Sequence, residues 1–278
     1  MSTLAYLKYS DSLVTDATVQ AKEPTGAHTD YTVDANFPLA NLKTTPVQRP
    51  TKIEIPESSV TEINIQMDFG AASNFNVVAI AGHNLSSTAI IKLYANVADN
   101  TIYPTTLIGT MTWTSGTAFH KFTATKNHRY LQIEIDDANS AYDDISIGLI
   151  MVGMLTTTGL TINEGWKYST RAVNVQNDGD FITAISRNLY LRKRAILPFE
   201  NVLESDFAAM VTLYESLKEN TEPAFILPDA ADHYGFVGRF EEELERDYPY
   251  SVNGTGASDD LVSITIPFIE DANPILLS

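Results

Sequence analysis

The chain has 278 residues, 44% hydrophobic and 19% charged, enough for two globular domains that each bury a core. Its 35 acidic and 18 basic residues leave a formal charge of −17, which opposes binding to nucleic acid or to an anionic membrane. The absence of cysteine excludes a disulfide framework, a thiol nucleophile and any zinc site that uses cysteine.

Met1 to Leu13 lacks the basic start and long apolar core of a signal peptide, and no window reaches the roughly 18 apolar residues of a membrane helix. The reading is a protein made in the cytosol without a cleaved leader. Residues 1–50 read as a loop-rich entry, punctuated by Pro24, Pro38, Pro46 and Pro50, with a short strand at Ala17 to Ala21. Ile53 and Ile55 mark a further short strand. The strongest pattern runs from Val60 to Leu85. Ile63, Ile65, Met67 and Phe69 alternate with Glu62, Asn64, Gln66 and Asp68, as in a strand with one wet face that Gly70 ends. Val77 to Ala81 is apolar without a break, as in a strand covered on both faces. Gly82-His83-Asn84 closes it in a tight turn.

Strands are predicted next at Ala89 to Ala95, Phe119 to Ala124, Arg129 to Ile135 and Ile145 to Gly153, the last apolar on both faces. Short strands between turn signals, without a convincing helix, predict an all-β sandwich or jelly roll. Asn36 to Pro50, then INIQMDFG, NVVAIAGHN, IKLYA, RYLQIEI and ISIGLIMVG, resemble in order and spacing a galactose-binding-like (discoidin-type) jelly roll. The version resembled is that of structural proteins in tailed-phage virions, and it covers roughly residues 15–155.

Thr156 to Gly159 reads as a hinge, dividing the chain into a jelly roll over 1–157 and a smaller α+β domain over 158–278. In the second part, Arg171 to Val175 and Phe181 to Ile185 flank Asn177-Asp178-Gly179-Asp180, a hairpin signal. Leu189, Leu191, Ala195, Leu197 and Phe199 share one parity, so Arg187 to Phe199 is a long strand. Leu203, Phe207, Met210, Val211, Tyr214 and Leu217 recur at three and four, predicting one helix from about Ser205 to Glu219 with Ser205 as its cap. Ala224 to Leu227, Tyr234 to Phe240 and Leu261 to Ile269 supply strands of an antiparallel sheet beneath it. The run from Arg194 through YGFVGRF resembles, more loosely, domains of phage tail and baseplate proteins.

Catalytic constellations are lacking in the sequence. There is no Gly-x-Ser-x-Gly elbow, and His28, His83, His120, His128 and His233 are scattered with no His-x-x-x-His pair. Asp136-Asp137, Asp143-Asp144 and Asp259-Asp260 read as solvated turn acids; the galactose-binding-like resemblance implies structural calcium at Asp136, Asp137, Asp143 or Asp144 as the alternative. The glycines of Tyr234 to Gly238 read as turn or bulge residues. Arg187, Arg192, Lys193 and Arg194 concentrate basic charge and are the candidate protomer contact; Glu241 to Asp247 is their acidic counterpart.

The resemblances imply a structural tail or baseplate component of a tailed phage or prophage, made in the host cytoplasm and residing in the virion. Its partners would be other virion proteins and copies of itself, with no enzyme activity, cofactor, metal, nucleic acid or membrane. The alternative is a carbohydrate-binding module, with Trp113, Tyr103 and Tyr142 as candidate glycan contacts.

Overall fold

A computed structural model describes residues 2–22, 31–44, 50–54, 62–96, 104–114, 117–137, 144–162, 167–177, 185–217, 222–228, 234–241, 247–250 and 261–270. The strands are β1 (Ser2–Lys8), β2 (Thr18–Lys22), β3 (Thr51–Glu54), β4 (Glu62–Ala81), β5 (Ile90–Asn96), β6 (Thr106–Thr110), β7 (Thr112–Thr114), β8 (Thr117–Asp136) and β9 (Asp144–Ile147). They continue with β10 (Leu149–Gly153), β11 (Thr156–Ile162), β12 (Lys167–Asn177), β13 (Ile185–Leu203), β14 (Ala224–Leu227), β15 (Phe236–Phe240), β16 (Asp247–Tyr250) and β17 (Leu261–Glu270). The helix α1 spans Glu204–Ser216, between β13 and β14. Among the described residues the chain is mainly β, a sandwich followed by an α+β part, as the sequence predicts.

The sandwich is one sheet bent into two leaves. Strands β4 and β8 pair antiparallel along most of their length, with register shifts between Asp68 and Ser73 and between Phe75 and Val77. Gly70, at φ +78°, lies in this bend, a backbone angle that glycine adopts without a Cβ penalty. Gly70 therefore marks a corner within β4 and not the strand end predicted. One leaf joins β2, residues 62–68 of β4, residues 130–136 of β8, β5 and β6. The other joins β10, residues 77–81 of β4, residues 117–121 of β8, and β7. Ile63, Ile65, Met67, Leu93 and Ile133 from the first leaf share a core with Val78, Ile80, Ile150 and Val152 from the second. The β3–β9 pair adds Ile53, Ile145 and Ile147.

The second sheet runs β11-β1-β14-β15-β17-β13-β12, with β16 beside β17. Leu197, Phe199, Ile226, Phe236, Ile266 and Phe268 pack with Met210, Leu213 and Leu217 from the helix and the turn that follows it. Their spacing of three and four produces that buried stripe. The helix starts one residue before Ser205, so the predicted cap falls inside its first turn.

Residues 77–81 show why an unbroken apolar run was needed. Val78 and Ile80 enter the sandwich core. Val77, Ala79 and Ala81 point the opposite way, with Leu149 and Met151, against Ala5, Leu7, Phe225, Leu227 and Val237 of the second sheet. Fully burying such side chains contributes about 1.5–3 kcal/mol each for the larger ones. The two sheets thus share a third core.

Two expectations for the chain path are corrected. Residues 2–8 are strand, not loop. β1 pairs with β11 on one side and β14 on the other, with Leu4 in the helix-side core and Ala5 and Leu7 in the shared one. Burial on both faces removes the alternation that would have signalled it. Thr156 to Gly159 is part of β11, so the predicted hinge is a strand and the 157/158 division falls within it.

Candidate functional site

The turn after β4 is held by side chains of the sandwich. Gly82 has φ +66°. Asn84 accepts a hydrogen bond at Oδ1 from the Ser146 amide at 2.8 Å and donates from Nδ2 to the Asp144 carbonyl at 2.9 Å, fastening the turn to β9. Asp137, 3% exposed, accepts from the Ser86 amide at 2.8 Å and from the Ser86 hydroxyl. Asp144 pairs with Lys52 at 3.0 Å. These acids organise turns through protein donors, and no group of three or more His, Cys, Asp or Glu suited to a metal occurs among the described residues. Asp143, Asp259 and Asp260 lie outside them.

The outward face of the first leaf carries a lattice of polar pairs, although one carboxylate oxygen of Asp136, opposite Glu62, is buried without a hydrogen-bond partner. Gln66 Nε2 donates to Gln132 Oε1 at 3.0 Å, and Gln132 Nε2 donates to Asn64 Oδ1 at 2.9 Å. Asn64, read from the sequence as wet, is 2% exposed because its cross-strand neighbours cover it. Lys92 pairs with Glu134 at 2.8 Å, and Arg129 grips Asp68 through Nε at 2.8 Å and Nη2 at 3.0 Å. The Arg129 hydrogen bond holds the Asp68 carboxyl below its usual pKa.

The described histidines do not converge. His83 sits in the turn, the His120 ring lies 4.5 Å from that of Phe122, and His128, half-buried beside Phe75, has its pKa lowered by burial and then by Lys126. His28 and His233 lie outside the described residues. Gly238 is a regular strand residue opposite Ala224, not a bulge, and Gly235 lies against Phe225.

Of the candidate glycan contacts, Trp113 lies in β7 opposite Ala118. Tyr103 and Tyr142 fall outside the described residues. The candidate protomer contact lies in β13, where Arg187, Arg192, Lys193 and Arg194 stand opposite Val175, Arg171, Thr170 and Ser169 of β12. Register adds Arg171 to the group, which sequence alone could not do. Glu241 follows β15 and Asp247 opens β16, while residues 242–246 lie outside the described residues.

No protein-family model matches the chain, and no curated protein matches it. A GH29 fucosidase of Ruminococcus gnavus in complex with fucose aligns at a TM-score of 0.41 and 16% identity, over 54% of this chain and 28% of its own length. This chain therefore spans well under a third of that enzyme. Chitosan-binding module 1 of a chitosanase/glucanase from Paenibacillus sp. IK-5 aligns at 0.39 and 16% identity, over 51% of this chain and 97% of the module. The family 32 carbohydrate-binding module of C. perfringens NanJ, in complex with galactose, aligns at 0.37 and 15%, over 55% and 99%. Likenesses this slight assign no ligand to this chain, and none of these three is a virion protein.

Proposed function

We propose that this chain is a non-catalytic protein that works through surface contact, as a structural subunit of a larger assembly. The observation that carries the reading is the shared core. With Phe225, Leu227 and Val237 packed on Val77, Ala79 and Ala81, the sandwich and the helix-bearing sheet are built as one body, and β12 and β13 form a long hairpin at its margin. Such a body suits a rigid building block. The sequence resemblance supports the finer form, a tail or baseplate component of a tailed phage or prophage.

Glycan binding by the jelly roll is the second reading. Its support is the same resemblance, together with the place of Trp113 in the marginal strand β7. One preparation tests both. Imaging of concentrated protein should show closed rings or tubes, and a glycan array should stay blank. Specific array binding lost on Trp113→Ala, with only separate particles in the images, would replace the first reading by the second.

A further inference from the structure

The corner where the sandwich sheet bends is closed by side chains of both strands. Between Asp68 and Ser73, β4 places four residues opposite a single residue of β8, Arg129. Gly70, Ala71 and Ala72 of that excursion are exposed. Two clamps flank it. Asp68 Oδ1 accepts from the Gly70 amide at 2.8 Å and also from Arg129 Nε. Beyond the excursion, Asn127 Nδ2 donates to Asn74 Oδ1 at 2.7 Å. His128 lies between Asn127 and Arg129 in the chain, and alternation turns it the opposite way from both.

Inside the corner the rings form a row. The His128 ring stands 6.2 Å from that of Phe75, Phe75 stands 5.7 Å from Phe122, and Phe122 stands 4.5 Å from His120. Phe69 meets Phe75 at 6.2 Å, and Phe75 is fully buried in the sandwich core. His128 Nδ1 is buried without a hydrogen-bond partner. Ser73, its cross-strand neighbour, donates its hydroxyl to the Ala71 carbonyl at 3.2 Å instead.

These surroundings suit a neutral imidazole and oppose a charged one. Burial disfavours the protonated form of a base, and a like charge nearby adds to that. Both act on His128: burial first, then the ammonium of Lys126, which lies 5.3 Å from the centre of the Phe122 ring. β4 supplies no carboxylate in compensation. From Phe69 to Val77 it has no titratable side chain, and Asp68, just before that stretch, is held by Arg129. His120 stands at the far end of the row, with Phe75 and Phe122 between it and His128.

We propose that this corner is an acid-sensitive joint, in which a proton on His128 drives the ring away from Phe75 and opens the bend between Asp68 and Phe75. The sign follows from linkage. A histidine whose folded pKa is lowered contributes stability that is fully present above its ordinary value of 6.5 and is lost as pH falls through the folded one. The opening stays local, because β10 pairs with β4 from Val77 to Ala81 and holds that end closed. The device works within a single chain and stands apart from the assembly reading.

Amide hydrogen exchange of the full chain at pH 7 and pH 5, expressed as protection factors, reads the joint. Protection from Ser73 to Phe75 and from Lys126 to His128 should fall severalfold at pH 5 in the wild type, while Ile80 and Ile150 keep theirs. His128→Phe and His128→Gln both lack a titrating ring, and whichever folds should show no such fall. Nuclear magnetic resonance titration of the wild-type His128 ring should give a midpoint below 6.5. A midpoint at or above that value would overturn the proposal, and so would corner protection that is unchanged at pH 5 or falls equally in the variants. Loss of protection throughout the chain at pH 5 would mean global acid unfolding and would overturn a local joint.

Discussion

The ring of Phe119 in the sandwich lies 5.3 Å from the ring of Phe225 in the second sheet, and this pair sits in the core that joins the two. Gly235 lies directly against both. A Cβ built there would stand 2.7 Å from Phe225 Cζ and 3.1 Å from Phe119 Cε1. Gly235→Ala should therefore force two buried rings apart and cost about 1–3 kcal/mol, read by urea denaturation. A variant as stable as the parent would show that the rings yield freely.

Adjacent residues of β4 serve different cores, so neither parity tolerates charge. Val77→Asp and Val78→Asp should each destabilise by about 3–5 kcal/mol, the scale for a buried unpaired charge. Thermal unfolding checks this. Tolerance at Val77 alone would mean that the second sheet does not cover that face.

Asn84 satisfies a backbone amide and a backbone carbonyl of the β9 region at once. Asn84→Ala leaves both without that partner and should cost about 1–3 kcal/mol. Amide exchange at Ser146 should accelerate in the variant; unchanged protection there would remove Asn84 as the fastener.

The Arg129–Asp68 pair predicts a pH signature. The folded-state pKa of Asp68 is lowered, chiefly by the hydrogen bond from Arg129. A lowered carboxylate pKa contributes stability that is present above the ordinary value and lost as pH falls through the folded one. The stability gap between wild type and Arg129→Gln should be about 0.5–1 kcal/mol near neutrality, discounted for partial exposure, and should close below about pH 4. A gap independent of pH would contradict the pairing.

The sandwich was legible where one face is wet, as in the alternation through Ile63, Ile65 and Met67, and where both faces are dry, as in Val77 to Ala81. The helix was legible from the spacing of Phe207, Met210, Val211, Tyr214 and Leu217, although the buried stripe also includes Leu213, which that reading missed. β1 was hidden because Leu4 and Leu7 enter different cores, so no single period marks it. The basic cluster was visible only as a cluster. Its membership depends on a bulge at Leu189 and on cross-strand register with Arg171, both of which arise from pairing between distant segments. The acids that looked like solvated turn residues include Asp137, whose burial follows from a partner 51 residues away, Ser86.

Whether this chain is a structural subunit of a larger assembly is decided by electron microscopy of the concentrated protein. Closed rings or tubes built from repeated copies are the expected result. Fields of separate particles at every concentration, beside specific glycan-array binding that Trp113→Ala abolishes, would contradict it.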